Sequence, residues 1–446
     1  MKQYTLSINF LLSGLLLIFW FACTDPVQPP PSQNTTIALE LIETGIVDAT
    51  LQVSIEDTLA ENWTYSLTKN GSLVLKDTID NAHATTVVDT NLTPATEYNY
   101  QAFWLNNSVR IDSSEVITVF TGDTTSHNFV WEIDTLGGYG SYLNDVHIVN
   151  EDDIWVVGNI ETDSMEYNAA HWDGSEWEYI KILNGISSVS TINYFTEDNI
   201  WCSIGSFPVH WNGDEWILYH LQDMGLDAHI INAIWASSPD NIYFVGNYGS
   251  IVHYNGVDFI EIESGTDLDL SYIHGSANGE YIFITGYNML GDSIILRIYN
   301  DEVLTFYENI YESQNTYYSV KAVVVQNDTV YFSTGRGLWR YNYLTQESIL
   351  TNGDGLIHPN FPIFGDYYIQ FTNIFIFGMN NIFFPGFAYT YNHFNGLTFK
   401  YGLELSNLLN PGAPAFGSDY EDELIIMVGA SSAFSGLVIK GYQVNE

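Results

Sequence analysis

Histidine recurs at one position of a repeated turn: His171-Trp172-Asp173-Gly174, His210-Trp211-Asn212-Gly213, His253-Tyr254-Asn255-Gly256 and His393-Phe394-Asn395-Gly396. Imidazoles bind metals and carry protons, so a series of them points first to a metal centre or a relay. Repetition argues the other way. Equivalent positions of successive repeats lie far apart and cannot share one ion. A structural imidazole, bonded to a neighbouring strand or turn, is the expectation. His147 and His274 fall on what read as innermost strands, in different registers. Arginine occurs only at Arg110, Arg297, Arg336 and Arg340, and the last three sit in the fourth and fifth repeats. That set does not converge on one carboxylate from several directions, as the three-arginine clamp of a sialidase requires. With 54 acids in the chain, Asp and Glu pairs are easily found, and a pair of unknown separation says nothing about glycoside chemistry. No catalytic residue and no metal ligand is assigned.

Recognition is the better reading of the remaining groups. The long inter-strand segments are Asn159 to Asn168, Leu221 to Ala228, Tyr307 to Tyr317 and Thr351 to Tyr368. The last carries His358, Phe361, Phe364, Tyr367 and Tyr368, an apolar-aromatic set suited to a glycan or a peptide. The same side chains would equally serve to pack on a neighbouring repeat. Cys23 belongs to different chemistry. It follows Lys2 and the apolar run Phe10 to Ala22, which is of signal-peptide length and short for a membrane span. Phe21-Ala22-Cys23-Thr24 resembles a bacterial lipoprotein lipobox, with Trp20 and Phe21 bulkier than usual, and the resemblance implies lipid attachment at Cys23. Pro26, Pro29, Pro30 and Pro31 then form a stiff spacer.

The charge bounds the partners. Against 54 acids stand 11 Lys plus Arg, a formal −43, which repels phosphate backbones and excludes nucleic acid. Such a surface keeps molecules apart and soluble. The cation that carboxylates suit best is Ca²⁺, yet no loop shows a regular D-x-D-x-D-G pattern, and no cofactor is expected. The two cysteines give no internal disulfide framework, and Cys202 reads as a small buried residue.

Two kinds of element must carry these groups. Residues 36–125 alternate with strand period, as in Leu51-Gln52-Val53-Ser54-Ile55. Leu92-Thr93-Pro94-Ala95-Thr96-Glu97-Tyr98 resembles the corner between the fifth and sixth strands of fibronectin type III domains, which implies a tyrosine corner at Tyr98. Ile55 stands where that family usually has a core Trp.

From 126 to 446 a phrase of polar turn, apolar-aromatic strand and glycine recurs every 40 to 52 positions, beginning with Ile154-Trp155-Val156-Val157-Gly158 and ending loosely at Leu424 to Gly429. Repeats of that length that parse into four short strands make a β-propeller. The Asn-Gly and Asp-Gly turns predict type I′ hairpins. The last repeat ends one strand short, and Phe129-Val130-Trp131-Glu132-Ile133 matches the missing outer strand. The repeats resemble bacterial secreted propellers reading D-[IV]-W-x-V-G and H-x-D-G-x-x-W, a resemblance that implies architecture and no shared activity.

The expected fold is all-β: a signal peptide at 1–22, a Pro-rich linker at 23–35, a fibronectin type III-like sandwich at 36–125, and a seven-bladed β-propeller at 126–446 closed by a blade shared between its ends. The expected role is non-enzymatic binding of an extracellular glycan or envelope protein. The address would be a bacterial cell envelope, at the outer membrane or cell surface, reached through a lipid anchor. The alternative is an extracellular carbohydrate-active enzyme working on the loop-rich face.

Overall fold

The computed structural model describes residues 37–444, apart from 57–61, 81, 187, 289–290, 301, 310–319, 321–322, 327–328, 335–336, 344–372, 379–380, 387–388, 396–397, 403, 410–413, 432 and 434. Cys23 and the segment holding His358, Phe361, Phe364, Tyr367 and Tyr368 lie outside the described residues. By proximity the described residues form two compact units, one within 37–40, 52–87 and 99–117, the other within 41–51, 88–98 and 118–444.

Ile37–Thr44, Asp48–Ile55 and Ala84–Thr90 form one sheet in that order. A second runs Ser72–Asp80, Asn62–Lys69, Glu97–Asn106, Val109–Ser113, and Ile117–Phe120 also pairs with Glu97–Asn106. Period-2 alternation is clean in Asp48–Ile55, where Ala49, Leu51, Val53 and Ile55 are buried between half-exposed neighbours. Thr93 N donates to Tyr98 Oη at 2.8 Å. The buried tryptophan of this region is Trp63, whose indole N–H donates to Ala82 O at 2.8 Å. A Trp sought near Ile55 is thus found on the next strand.

Among the described residues, 129–443 form seven antiparallel sheets. The first is Tyr142–Asn150, Asp153–Glu161, Glu166–Trp172 and Trp177–Ile180. The second, third and fourth begin with Thr191–Thr196, Ile231–Ser238 and Asp269–Gly275. The fifth has three described strands, Val323–Gln326, Thr329–Thr334 and Gly337–Asn342, and the sixth runs from Phe375–Gly378 to Phe399–Gly402. The seventh is Ala415–Glu421, Leu424–Ala430, Gly436–Gln443, and then Phe129–Leu136 from the other end of the unit. Gly436 lies opposite Leu136 and Gln443 opposite Phe129. Consecutive inner strands adjoin from sheet one to sheet six, and that of sheet one also adjoins that of sheet seven. This radial stacking is a β-propeller.

Packing explains the repeated phrase. Its strand is second in each sheet and touches neighbours on both faces, so Leu424–Ala430 is buried at every position. The closing glycine is required by close approach. A Cβ at Gly158, Gly246 or Gly429 would stand 2.2, 2.0 or 2.1 Å from a carbonyl oxygen of the preceding strand or loop. The turns differ from expectation. Gly174, Gly213 and Gly256 have φ of 88°, 89° and 90°, but the Asp or Asn before each stays out of the left-handed region. Instead Asp173 Oδ1 accepts from Ser175 N and Glu176 N, and Asn212 and Asn255 make the same pair of bonds. Asp and Asn are selected here for a side-chain oxygen that caps a four-residue loop, and type I′ geometry is not formed. The expected long loop Asn159 to Asn168 is also shorter, since its strands continue to Glu161 and resume at Glu166.

Candidate functional site

The recurring histidines are held one by one. Each Nε2 reaches the residue just before the apolar phrase of its own sheet: His171 to Asp153 at 2.7 Å, His210 to Asn199 at 2.9 Å, His253 to Asn241 and His393 to Asn381 at 2.8 Å. An asparagine oxygen only accepts, so Nε2 carries the hydrogen in the latter three. The rings of His171, His210 and His253 stack on Trp155, Trp201 and Tyr243 with centroids 4.5, 4.2 and 4.3 Å apart. Burial lowers the pKa of His210. The structural role expected of this series is what the bonds describe. The Asp or Asn that completes it was legible in the sequence, as the polar residue preceding each Ile-aromatic pair. Arg297 and Arg340 occupy the same register, opposite Phe283 and Tyr331.

A second set of polar groups runs between inner strands. Asn144 Nδ2 donates to Val189 O (2.8 Å), Asn232 Nδ2 to Leu270 O (2.8 Å), Gln326 Nε2 to Ile376 O (3.1 Å) and Asn373 Nδ2 to Ser418 O (3.3 Å). Asp145 Oδ2 accepts from Ile192 N (3.0 Å), His274 Nδ1 from Val325 N (3.1 Å) and Asp419 Oδ2 from Ile148 N (2.8 Å). Every sheet but the second thus passes a side chain to the backbone of the next, and Asp419 carries the series from the seventh to the first. His274 belongs to this belt, and His147 stands in the same register, opposite Trp155 as His274 is opposite Phe283, which corrects the sequence reading. Bulges in the inner strands had hidden the equivalence.

Enclosure sets the protonation of the belt. Burial, with Asp419 adding to it, pushes the Asp145 carboxyl up to about 7, against two backbone N–H donors. Asp419 is raised by burial as well. Burial takes His274 down to about 4, and lowers His147 despite Asp419 and Asp153. Both carboxyl groups spend their oxygens on backbone N–H groups: Asp145 on Val146 and Ile192, Asp419 on Ile148 and Tyr420. Shifted acids here are consistent with structural joints, not a proton relay.

The open site lies where the short acidic turns emerge. A cleft of about 960 Å³ is bordered by the ends of four successive sheets, the fifth, sixth, seventh and first. Tyr420 and Phe377 form its apolar floor, their rings 5.0 Å apart, with Tyr420 also 4.8 Å from Phe375. Glu421, Asp422 and Glu423 from one turn and Glu151 from another supply its charge, and Asn381 and Tyr442 complete the rim. Asp422 takes φ of 51°, which lets the turn reverse tightly. Burial, then the like charges of Asp422 and Asp419, raise Glu421. No His, Cys, Lys or Arg lines the cleft among the described residues. An aromatic floor under a carboxylate rim can hold a cationic side chain by charge and by ring face. Loop length, the guide in the sequence, does not point to this cleft, whose turns are short. Among the described residues no group of three or more His, Cys, Asp or Glu is placed to hold a metal ion.

No protein-family model matches the chain, and no curated protein does. Solved structures do. YCF48 bound to the D1 peptide matches with a TM-score of 0.50 and 13% identity, over 72% of this chain and 97% of that one. A chain of the mitotic checkpoint complex matches with a TM-score of 0.50 and 11% identity, over 74% and 100%. The β-propeller domain of Cps50 (Swd1) from Myceliophteria thermophila gives a TM-score of 0.45 and 9% identity, over 72% and 100%. At these identities the likeness concerns the fold alone.

Proposed function

We propose that this chain is a non-enzymatic protein-binding propeller, held at a bacterial cell surface, that takes a positively charged segment of its partner into the cleft of Glu151, Phe377, Tyr420, Glu421, Asp422 and Glu423. The observation that carries this reading is the cleft itself, an open aromatic floor rimmed by carboxylates. A formal −43 charge would draw such a partner in from a distance. The D1 peptide is bound to YCF48, and it supports the reading only as an instance of this fold holding a peptide.

The supporting architecture is part of the proposal. Seven sheets, the last completed by Phe129–Leu136, favour a seven-bladed ring with a shared blade. The two N-terminal sheets and the Tyr98 bond favour a fibronectin type III-like spacer at 36–125. Lipid attachment at Cys23 would place both at the outer membrane or cell surface. Replacing Cys23 by Ser then releases the protein or blocks its processing.

The test of function is a fragment 33–446 titrated against peptides that are rich in Lys and Arg, neutral, or acidic, and against a glycan panel with hydrolysis assayed on every hit. Basic peptides should bind, and the triple change Glu421→Gln, Asp422→Asn, Glu423→Gln should weaken them about tenfold or more and flatten the salt dependence. Glycan turnover, or peptide binding indifferent to those three changes, would count against this reading and for the enzymatic or loop-face alternatives.

A further inference from the structure

The seventh sheet is where the ring is joined, and a chain of side chains fastens it to the sixth. Thr398 Oγ1 stands 3.0 Å from His127 Nε2, and His127 Nδ1 stands 2.8 Å from His393 Nδ1. His393 Nε2 is 2.8 Å from Asn381 Oδ1, and Asn381 Nδ2 donates to Gln443 Oε1 at 2.6 Å. Gln443 Nε2 donates in turn to Ser126 O. Donor roles follow by elimination. Asn381 Oδ1 accepts, so His393 Nε2 carries the hydrogen and its Nδ1 is bare. His127 therefore donates from Nδ1, and its Nε2 accepts the Thr398 hydroxyl, which lies nearer to it (3.0 Å) than to its other acceptor, Asn395 Oδ1 (3.3 Å). Both rings are neutral in this arrangement, and the link joins Ser126-His127 to sheet six and to the last strand.

We propose that the His127–His393 pair is a proton-sensitive clasp on ring closure. It is shut while both imidazoles are neutral and is driven open by their protonation, so that strands Phe129–Leu136 and Gly436–Gln443 loosen before the other sheets. One proton can be shared across the 2.8 Å gap if His127 changes tautomer. Two cannot, because each Nδ1 would then point a hydrogen and a positive charge at the other.

The surroundings oppose even the first proton. His393 is fully buried. The charged neighbours are Lys400, whose Nζ donates to His127 O at 3.4 Å, and Glu404, which sits 3.5 Å from that ammonium. Phe129, from the closing strand, packs its ring 5.1 Å from His393, and Gln443 is uncharged. Burial, then His127 and Lys400, push His393 down to about 3, and burial with Lys400 lowers His127. A histidine held below its unfolded value stabilises the closed form fully above about pH 6.5, and that contribution is lost as pH falls toward the folded value.

Hydrogen exchange on the intact protein tests this. Protection factors at 129–136 and 436–443 should fall about tenfold between pH 7.5 and 5.5 from His393 alone, beyond any change in 153–161, because the opened imidazole is about 90% protonated at the lower pH. His393→Gln should remove most of that excess, whereas His127→Gln, which keeps a donor toward His393, should remove only the part that His127 adds. Should either variant fail to fold, the imidazole C–H resonances of the unaltered protein decide the matter. His393 must stay neutral at pH 5.5. A His393 titrating near 6.5, or closing strands whose protection tracks that of sheet one, would overturn the proposal.

Discussion

At the scale of single residues, this molecule uses its polar groups as joints. The imidazole series reads as chemistry by type and as scaffold by partner, because each Nε2 is spent on an Asp or Asn of the neighbouring strand. Asn199→Ala would leave the His210 N–H without its acceptor beside a fully buried Trp201. We expect a loss of about 1–3 kcal/mol in urea unfolding, and near-neutrality for Asn199→Asp, since sheet one already uses Asp153 in that place. Asp145 bears on pH in the opposite sense to the histidine clasp. Its carboxyl is raised to about 7 in the fold, so its contribution is complete below about pH 4 and is lost as pH rises through 7. Urea midpoints at pH 5 and 8.5 should therefore diverge less for Asp145→Asn than for the unaltered chain. An equal pH slope in both would show that another group sets it.

At the scale of elements, closure is where the unusual residues gather. Lys440 is buried in the last strand, its ammonium 3.7 Å from the ring centroid of Trp172 and 3.6 Å from Asp134. Trp177 Nε1 donates to the same Asp134 at 2.9 Å. A buried ammonium is tolerated because ring face and carboxylate replace its water, although burial still lowers its pKa. These contacts fix sheet seven to sheet one, as the two histidines fix it to sheet six. The element pattern was well signalled in the chain. Apolar strands, closing glycines and the displaced outer strand at 129–133 all follow from the repeated phrase and the repeat length. What was misjudged were positions shaped by partners: the turn type after each histidine, the hairpin at 162–165, and the shared register of His147 and His274.

At the scale of the whole propeller unit, stability is tied to both ends at once. Removing 126–136 takes the fourth strand from sheet seven, together with His127 and Asp134. The remaining sheets would then face an unpaired edge and two exposed apolar faces. We expect such a truncation to lose the single cooperative transition or to aggregate, as followed by calorimetry and light scattering. A truncated chain that melts like the intact one would mean that sheet seven is dispensable.

Sequence alone was enough for the all-β class, the repeat, the displaced strand and the structural duty of the histidines, because those rest on local periodicity and on spacing along the chain. Tertiary structure decided the belt of inter-strand bonds, the His127–His393 pair and the acidic aromatic cleft. Those bring together residues as distant as His127 and His393, or Glu151 and Glu421, and no local pattern encodes a contact across such separations. Charge shows the same division. The sequence counts 54 acids, but only the fold gathers Glu151, Glu421, Asp422 and Glu423 on turns around Tyr420 and Phe377.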